Sequence, residues 1–369
     1  MGNRRTMKHK EKEIKVIFVV VTLIFAFFLA VPVLRLLGKS FLQDGGVTGD
    51  FYQEVFTAKG FLTAVGNSFQ VSSLGALITT GIAFLLAYTI HYTNVPGVFK
   101  KGLKAAAVLP MFLPTITYGF AILYSFGKEG LLTRIFGRQI FQIYGMNGLL
   151  LGYVIYTLPI SFMLIFNAMS YIDKKYMVVS KVMGDKGLQT FWITIIRPLL
   201  GTLAASFVQS FFLSFTDFGI PAAVGGEYEV LAGVLYDQML GSIPDFHKGA
   251  VVAVVMLIPS VLSIVLLHYL EKYNVRYNKI SNIEMRKNYG RDIFCGVVSG
   301  LFCISMLAVF LVIFVVPFVE EWPYEIAFTL EHVKKVLTDS ELLGVYGNSL
   351  YTAFLLQFLE HFWLMEALW

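Results

Sequence analysis

The sequence predicts an all-α, polytopic membrane protein, and three observations carry that expectation. Of its 369 residues, 57% are hydrophobic and only 14% charged, whereas a soluble domain is about 45–50% apolar and about 25% charged. Apolar runs of about 20 residues recur along the chain, the length a helix needs to cross bilayer hydrocarbon. The basic residues are distributed unevenly between those runs. Counted from a cytoplasmic N-terminus, 20 Lys and Arg fall on inner segments and 8 on outer ones, with Arg35 at a boundary. That asymmetry fixes orientation. The formal charge of +5 therefore reads as a topology signal, not as a nucleic-acid surface.

Residues 1–13 form a basic cytoplasmic tail ahead of the first run, Ile14–Leu34. This run exceeds the apolar core of a signal peptide, and "FFLAVPVL" offers no small-x-small cleavage site, so we read a retained helix. The runs Asn67–Ile90, Ala105–Phe126, Gly148–Met169, Leu199–Val224 and Gly249–Leu270 complete a six-span unit over residues 14–270. A polar stretch at 271–292, "EKYNVRYNKISNIEMRKNYGRD", reads as a cytoplasmic linker. A seventh run follows at Ile293–Phe318, and an eighth begins at Asn348 with no room to finish as an ordinary span.

The region after the linker echoes the N-terminus. "FFLAVPVL" and "IFVVPF" each close a span, and Gly66-Asn67-Ser68 recurs as Gly347-Asn348-Ser349. The intervals from Pro32 to Asn67 and from Pro317 to Asn348 are 35 and 31 residues. Internal duplication is common in transporters, so residues 293–369 predict a partial second unit. Glu360, His361 and Glu366 then stand where the first copy reads "TTGIAFLLAYTI", and a central charge costs a membrane helix about 2.5–3.5 kcal/mol. We expect a repeat cut short by truncation or frameshift, or else an amphipathic tail.

Chemistry is hard to find. The phosphate-cradling G-x-x-x-x-G-K-[ST] loop does not occur. His9, His91, His247, His268, His332 and His361 are scattered singly, and there is no nucleophile elbow. Cys295 and Cys303 share the seventh run, which implies neither a disulfide framework nor a metal site. No catalytic centre, metal or cofactor is expected.

The most structured break between spans is "KKYMVVSKVMGDKGLQTFWITIIRP", Lys174–Pro198. Ile172, Tyr176, Val179 and Met183 recur at the spacing of one helix face, and Gly184 follows where a helix takes a left-handed stop. Leu188, Phe191, Trp192, Ile195 and Ile196 form a second apolar stripe, and Pro198 suits the start of the next span. The spacing predicts helix, glycine turn and helix on the cytoplasmic side. Pieces so short need a surface to pack on, either the inner face of the membrane or a partner protein.

This stretch resembles the cytoplasmic "EAA" loop of binding-protein-dependent ABC importer permeases. The family glycine falls on Gly184, its aromatic pair on Phe191 and Trp192, and its terminal proline, one residue late, on Pro198; Val178, Val179 and Ser180 stand in place of Glu-Ala-Ala. Four spans precede the loop and two follow it. "SFTDFGIPAAVGGEYEVLAGVLYDQM" is similar to the ferric-iron and 2-aminoethylphosphonate branch, which often fuses two permease units. The resemblance covers residues from about Ile14 to Asn348.

It implies a multi-pass permease of the cell (inner) membrane, with a six-helix unit and the start of a second. Its implied partners are a separate ATPase, an extracytoplasmic solute-binding protein, a second permease unit and membrane lipid, with no nucleic acid. The coupling loop, residues 171–198, would dock in a groove of the ATPase through Val179, Ser180, Lys181, Gly184, Asp185, Gly187, Phe191, Trp192 and Pro198, with Phe191 and Trp192 as buried anchors. The chain itself would not be an enzyme.

Gln209, Ser210, Ser214 and Asp217, with Ser206 and Thr216, give the fifth run a more polar face. That face suits either a translocation pathway or helix–helix hydrogen bonds. Asp217 falls ~27 Å from Leu199 along the helix, a depth at which its carboxylate is expected to be hydrated. The competing functions are an ion-coupled secondary transporter, an integral-membrane enzyme and a non-functional fragment of a longer permease. The first would need ionisable residues near the bilayer midplane, and the six runs of the first unit offer almost none.

Overall fold

The computed structural model describes residues 15–43, 46–139, 141–272 and 287–368. The N-terminal tail and most of the linker, residues 273–286, lie outside the described residues. Helices account for nearly all of the secondary structure. Seven of them are long and apolar enough to span a bilayer, or eight if one bent pair counts as a span.

Helix α1 (Lys15–Lys39) carries no buried residue across its apolar window. It contains a π turn at Ala26–Ala30, where the Val31 N–H reaches back to the Ala26 carbonyl just before Pro32. A proline has no N–H to give and crowds the carbonyl four residues back, so the widened turn accommodates it. A two-residue hairpin, β1 (Leu42–Gln43) and β2 (Gly46–Val47), then leads to α2 (Asp50–Thr57).

Helix α3 (Phe61–Tyr92), 32 residues long, belongs to the first compact unit, which is built from the described residues up to Gly119 and from Ile143 to Cys303. The expected third span is not one helix. It is α4 (Gly97–Val108), a 3-10 turn at Leu109–Phe112 and α5 (Thr115–Phe126), with a further short helix α6 (Leu131–Phe136), and the axis turns by 110° at the break. Pro114 explains it, because proline removes a helical donor and biases the residue before it toward extended backbone: Leu113 has φ −110° and ψ 143°, whereas Leu109, before Pro110, stays helical at φ −49° and ψ −42°.

Helix α7 (Met146–Ser170) crosses with Pro159 inside it. Helices α8 (Lys175–Val182) and α9 (Gly187–Phe191) follow, and α9 runs through a π turn at Trp192–Ile196 into α10 (Arg197–Thr216). The π turn repeats the arrangement of α1: the Arg197 N–H bonds the Trp192 carbonyl immediately before Pro198. The fifth span therefore ends at Thr216 and not at Val224. The remainder forms α11 (Gly219–Val224), then α12 (Leu231–Leu240) and α13 (Phe246–Glu271). The Asp245 carboxylate caps α13, accepting from the His247 and Lys248 amides at 3.1 Å each.

Helices α3, α7 and α10 pack through small and hydroxylated residues, the economical way to join helices where lipid supplies no hydrophobic drive. Ala64, Ala76, Ala83 and Ala87 of α3 are buried. Thr79 meets Thr157 at 3.0 Å, Ser161 meets Ser210 at 2.6 Å, and Thr80 meets Ser206 at 3.4 Å. Helix α14 (Tyr289–Val315) contributes its first half to this unit. The Thr89 hydroxyl meets that of Ser299 at 2.8 Å, and a Cβ at Gly296 or Gly300 would come within 3.2 Å of Val95 or Phe99.

The second compact unit comprises Phe120–Gln142 and the residues from Ile304 onward. It holds the hairpin of β3 (Val319–Glu321) and β4 (Glu325–Phe328), then α15 (Glu331–Thr338) and α16 (Ser340–Leu368). The Trp322 indole donates to the Tyr124 carbonyl at 3.3 Å, and the Tyr324 hydroxyl bonds the Glu129 carboxylate. The eighth run does have room to cross. Its helix begins at Ser340, eight residues before Asn348, and Ser340–Glu360 is a 21-residue candidate span; the turn that separates it from α15 is short and polar, with Asp339 accepting from the Glu341 and Leu342 amides.

Candidate functional site

The segment between α7 and α10 folds back on itself. The Asp173 carboxylate receives the Lys175 amide at 2.9 Å and starts α8. Two residues past its end at Val182, Gly184 adopts φ +88°, the left-handed conformation that stops the helix, with its N–H on the Lys181 carbonyl at 3.1 Å. The Asp185 amide returns to the Ser180 carbonyl at 3.1 Å, and the Thr190 amide to that of Lys186 at 2.9 Å. Helix, left-handed glycine and helix are held by their own backbone.

What fills the inside of this hairpin is polar. Ser180, Thr190 and Thr194 are 6%, 2% and 4% exposed. The Ser180 hydroxyl donates to Asp185 Oδ2 at 2.6 Å and lies 3.0 Å from the Thr190 hydroxyl, while Thr194 donates to the Thr190 carbonyl at 2.7 Å. The two apolar stripes are accordingly divided. Ile172 and Ile195 are buried, but Tyr176, Val179, Met183, Leu188 and Trp192 face outward. Hydroxyl groups occupy the space between the helices and satisfy one another, so those large apolar side chains have no interior to enter.

Phe191 is half-buried against its own chain. Its ring packs edge-on against Phe84 and Tyr88 of α3, with centroids 6.1 and 5.8 Å away. It fastens the module to its own chain. Trp192 stays 54% exposed. Lys181 and Lys186 are exposed, Asp185 is half-buried, and Pro198 is buried at the head of α10. Gly187 opens α9 with nothing within 4 Å of where a Cβ would stand.

The polar residues of α10 are more occupied than their spacing suggests. Ser210 is engaged by Ser161, so its hydroxyl joins helices. Gln209 is half-buried, and the buried Ser214 hydroxyl finds no hydrogen-bond partner among the described residues. Asp217 is not simply hydrated: it is 8% exposed and caps α11, accepting the Ile220 amide at 2.9 Å together with the Thr115 hydroxyl and the Gly219 amide. Helix α10 stops at Thr216 and the chain turns inward, which removes the depth argument for hydration.

Glycines admit α11 to that position. A Cβ on Gly219 would fall 2.3 Å from the Thr115 hydroxyl, one on Gly119 2.3 Å from the Ala223 Cβ, and one on Gly152 2.6 Å from Ile220. Thr190, Thr194 and Thr115 escaped the sequence reading. Thr190 and Thr194 stand one turn apart in an otherwise greasy stretch, a polar stripe that could have flagged the interior of the hairpin.

Among the described residues no group of three His, Cys, Asp or Glu side chains converges as a metal site. Residues 80–275 match the family described as binding-protein-dependent transport system inner membrane component, more than half of the chain. The chain belongs to this family.

Within this family of inner membrane components, the chain is 26% identical over 279 residues to the putative ferric transport system permease protein FbpB 1 of Haemophilus influenzae, covering 74% of this chain and 43% of that protein. It is 26% identical over 325 residues to the ferric transport system permease protein FbpB of Actinobacillus pleuropneumoniae, covering 85% and 46%. The chain thus spans less than half the length of these curated relatives. A chain in the crystal structure of a bacterial alginate ABC transporter, in complex with an alginate pentasaccharide-bound periplasmic protein, superposes with a TM-score of 0.57 at 13% identity, covering 73% of this chain and 97% of that one. That likeness is one of fold. As a binding-protein-dependent inner membrane component with seven apolar helices, the chain is a multi-pass membrane protein of transport, and its matched segment includes the whole of Lys174–Pro198.

Proposed function

We propose that this chain is the membrane-spanning subunit of an ATP-driven importer and that residues 171–198 are where a separate ATPase grips it. One observation carries the reading. Val182, Met183 and Leu188, at the tip of the hairpin, are 82%, 79% and 86% exposed on a turn whose backbone and hydroxyl groups are already satisfied. A preformed apolar tip rimmed by Lys181 and Lys186 has the composition of a docking surface. Membership of the family supports an ATPase as the partner, as do structural neighbours named as ABC transporters.

In this reading the tip and the N-terminus are cytoplasmic, supported by the lysine and arginine asymmetry. Residues 14–270 form one permease unit, 271–292 a linker and 293–369 the beginning of a second. Gln209, Ser214 and Asp217 border the pathway, and Ser210 positions their helix. The solute is ferric iron delivered by an extracytoplasmic binding protein, a reading supported by the relatives named for ferric transport.

The test is retention of the cognate ATPase on the purified full chain. Met183→Ser and Leu188→Ser are expected to lower it about tenfold or more, the scale of central interface residues, with membrane insertion unchanged. Retention at the parental level, or labelling of a cysteine at Val182 only from outside the cell, rejects the assignment.

A further inference from the structure

Three lysines gather at one end of the first unit, and none of them forms an ion pair with a carboxylate among the described residues. Lys100 and Lys104 lie one turn apart on α4, and Lys174 immediately precedes α8. Lys100 Nζ donates to the Thr93 carbonyl at 2.6 Å. Lys104 Nζ sits 4.7 Å over the Phe166 ring and Lys174 Nζ 5.6 Å over that of Tyr92. His91 joins the group: its ring lies 4.5 Å from that of Phe166, its Nε2 is 3.1 Å from the Phe166 carbonyl, and the charges acting on it are those of these three lysines.

Of the nearby acids, Asp292 is the one whose charge reaches Lys100, and it is shared with Arg291. Asp292 holds Arg291 at 2.6 Å, and Asp173 receives the Lys175 amide. Lys248 pairs with Glu54 and Asp245, and Arg291 with Asp292. Lys100 and Lys174 are half-buried, and that burial holds the Lys174 ammonium below the usual lysine range. Like charges one turn apart on a helix repel, and partly dehydrated ammonium groups are costly unless an anion approaches them. An anion in the cradle removes both penalties.

The depth of the cluster identifies the anion. Helix α3 ends at Tyr92, α7 ends at Ser170 and α4 begins at Gly97, so the lysines lie at the ends of the spanning segments, two of them with ammonium groups over aromatic rings and Lys100 on the Thr93 carbonyl. Lysines there present their charges at the level of lipid headgroups. We infer that Lys100, Lys104 and Lys174 cradle a phosphate group, supplied by the headgroup of an anionic phospholipid. The apolar tip proposed for the ATPase is built from other residues.

Native mass spectrometry of the full chain, released from micelles containing phosphatidylglycerol or phosphatidylcholine, tests the cradle. Phosphatidylglycerol is expected to be retained over phosphatidylcholine. Each of Lys100→Gln, Lys104→Gln and Lys174→Gln should weaken that retention about fivefold, with Lys→Arg at the same positions restoring it and Lys59→Gln leaving it unchanged. Glutamine variants that fold, hold their thermal midpoint and keep phosphatidylglycerol like the parent overturn the inference. So does displacement of the lipid by inorganic phosphate, which makes free phosphate the ligand. Loss of ATPase retention at unchanged lipid affinity also overturns it, by assigning the cluster to a protein interface.

Discussion

Ser180 Oγ donates to Asp185 Oδ2 across the glycine turn at 2.6 Å, and the bond closes the hairpin between α8 and α9 from within. Ser180→Ala leaves a buried Thr190 hydroxyl and the Asp185 carboxylate one partner short. A lost bond of this kind costs about 1–2 kcal/mol. Hydrogen exchange of the Asp185 and Thr190 amides is expected to speed by about fivefold or more, with exchange in α7 unchanged.

Gly184 and Gly187 should answer substitution differently. Gly184 holds φ +88°, where a Cβ costs about 1–2 kcal/mol. Gly187 stands at the first position of α9 with open space around it, and alanine there is expected to be neutral or to stabilise by up to about 1 kcal/mol. Proteolysis of the hairpin, faster in Gly184→Ala and not in Gly187→Ala, is the measurement.

Asp217 separates a structural role from one in the pathway. Asp217→Ala removes the cap of α11 and the acceptor for Thr115, at a cost of about 0.5–2 kcal/mol. Asp217→Asn keeps an acceptor oxygen and is expected to keep most of the thermal stability. If uptake by Asp217→Asn falls tenfold at unchanged stability, the carboxylate charge itself serves translocation.

For Ser161 and Ser210 a double-mutant cycle to alanine is expected to give a coupling of about 0.6 kcal/mol, the average for hydrogen bonds between membrane helices. Uptake should stay within twofold of the parent. A larger loss of uptake without loss of stability moves Ser210 from helix packing to the solute path.

Much of this architecture was legible from the order of residues. Apolar runs near Ile14, Asn67, Gly148 and Ile293 become helices because a backbone in lipid must satisfy its own hydrogen bonds. Gly184 was readable because a glycine after a periodic stretch has few other uses there. What escaped depended on partners distant in sequence. Nothing in "FLSFTDFGIP" reveals that Asp217 meets Thr115, nor does the stripe Leu188–Ile195 reveal that Phe191 belongs to Phe84 and Tyr88. Pro110 and Pro114 were visible, but a proline does not say whether its helix kinks or breaks. The 110° turn falls at Pro114, while the backbone before Pro110 stays helical.

Val182, Met183 and Leu188 also set terms for the life of the molecule outside its assembly. Three greasy knobs left uncovered by their own chain will cling to any comparable surface they meet, including another copy of themselves. A cell that makes this subunit faster than whatever covers those knobs accumulates adhesive orphans, which its chaperones and proteases must clear. Under the proposed docking, synthesis in step with the ATPase follows as a requirement of the turn, and overexpressing the chain alone should yield clumped membrane protein where co-expression yields dispersed complexes.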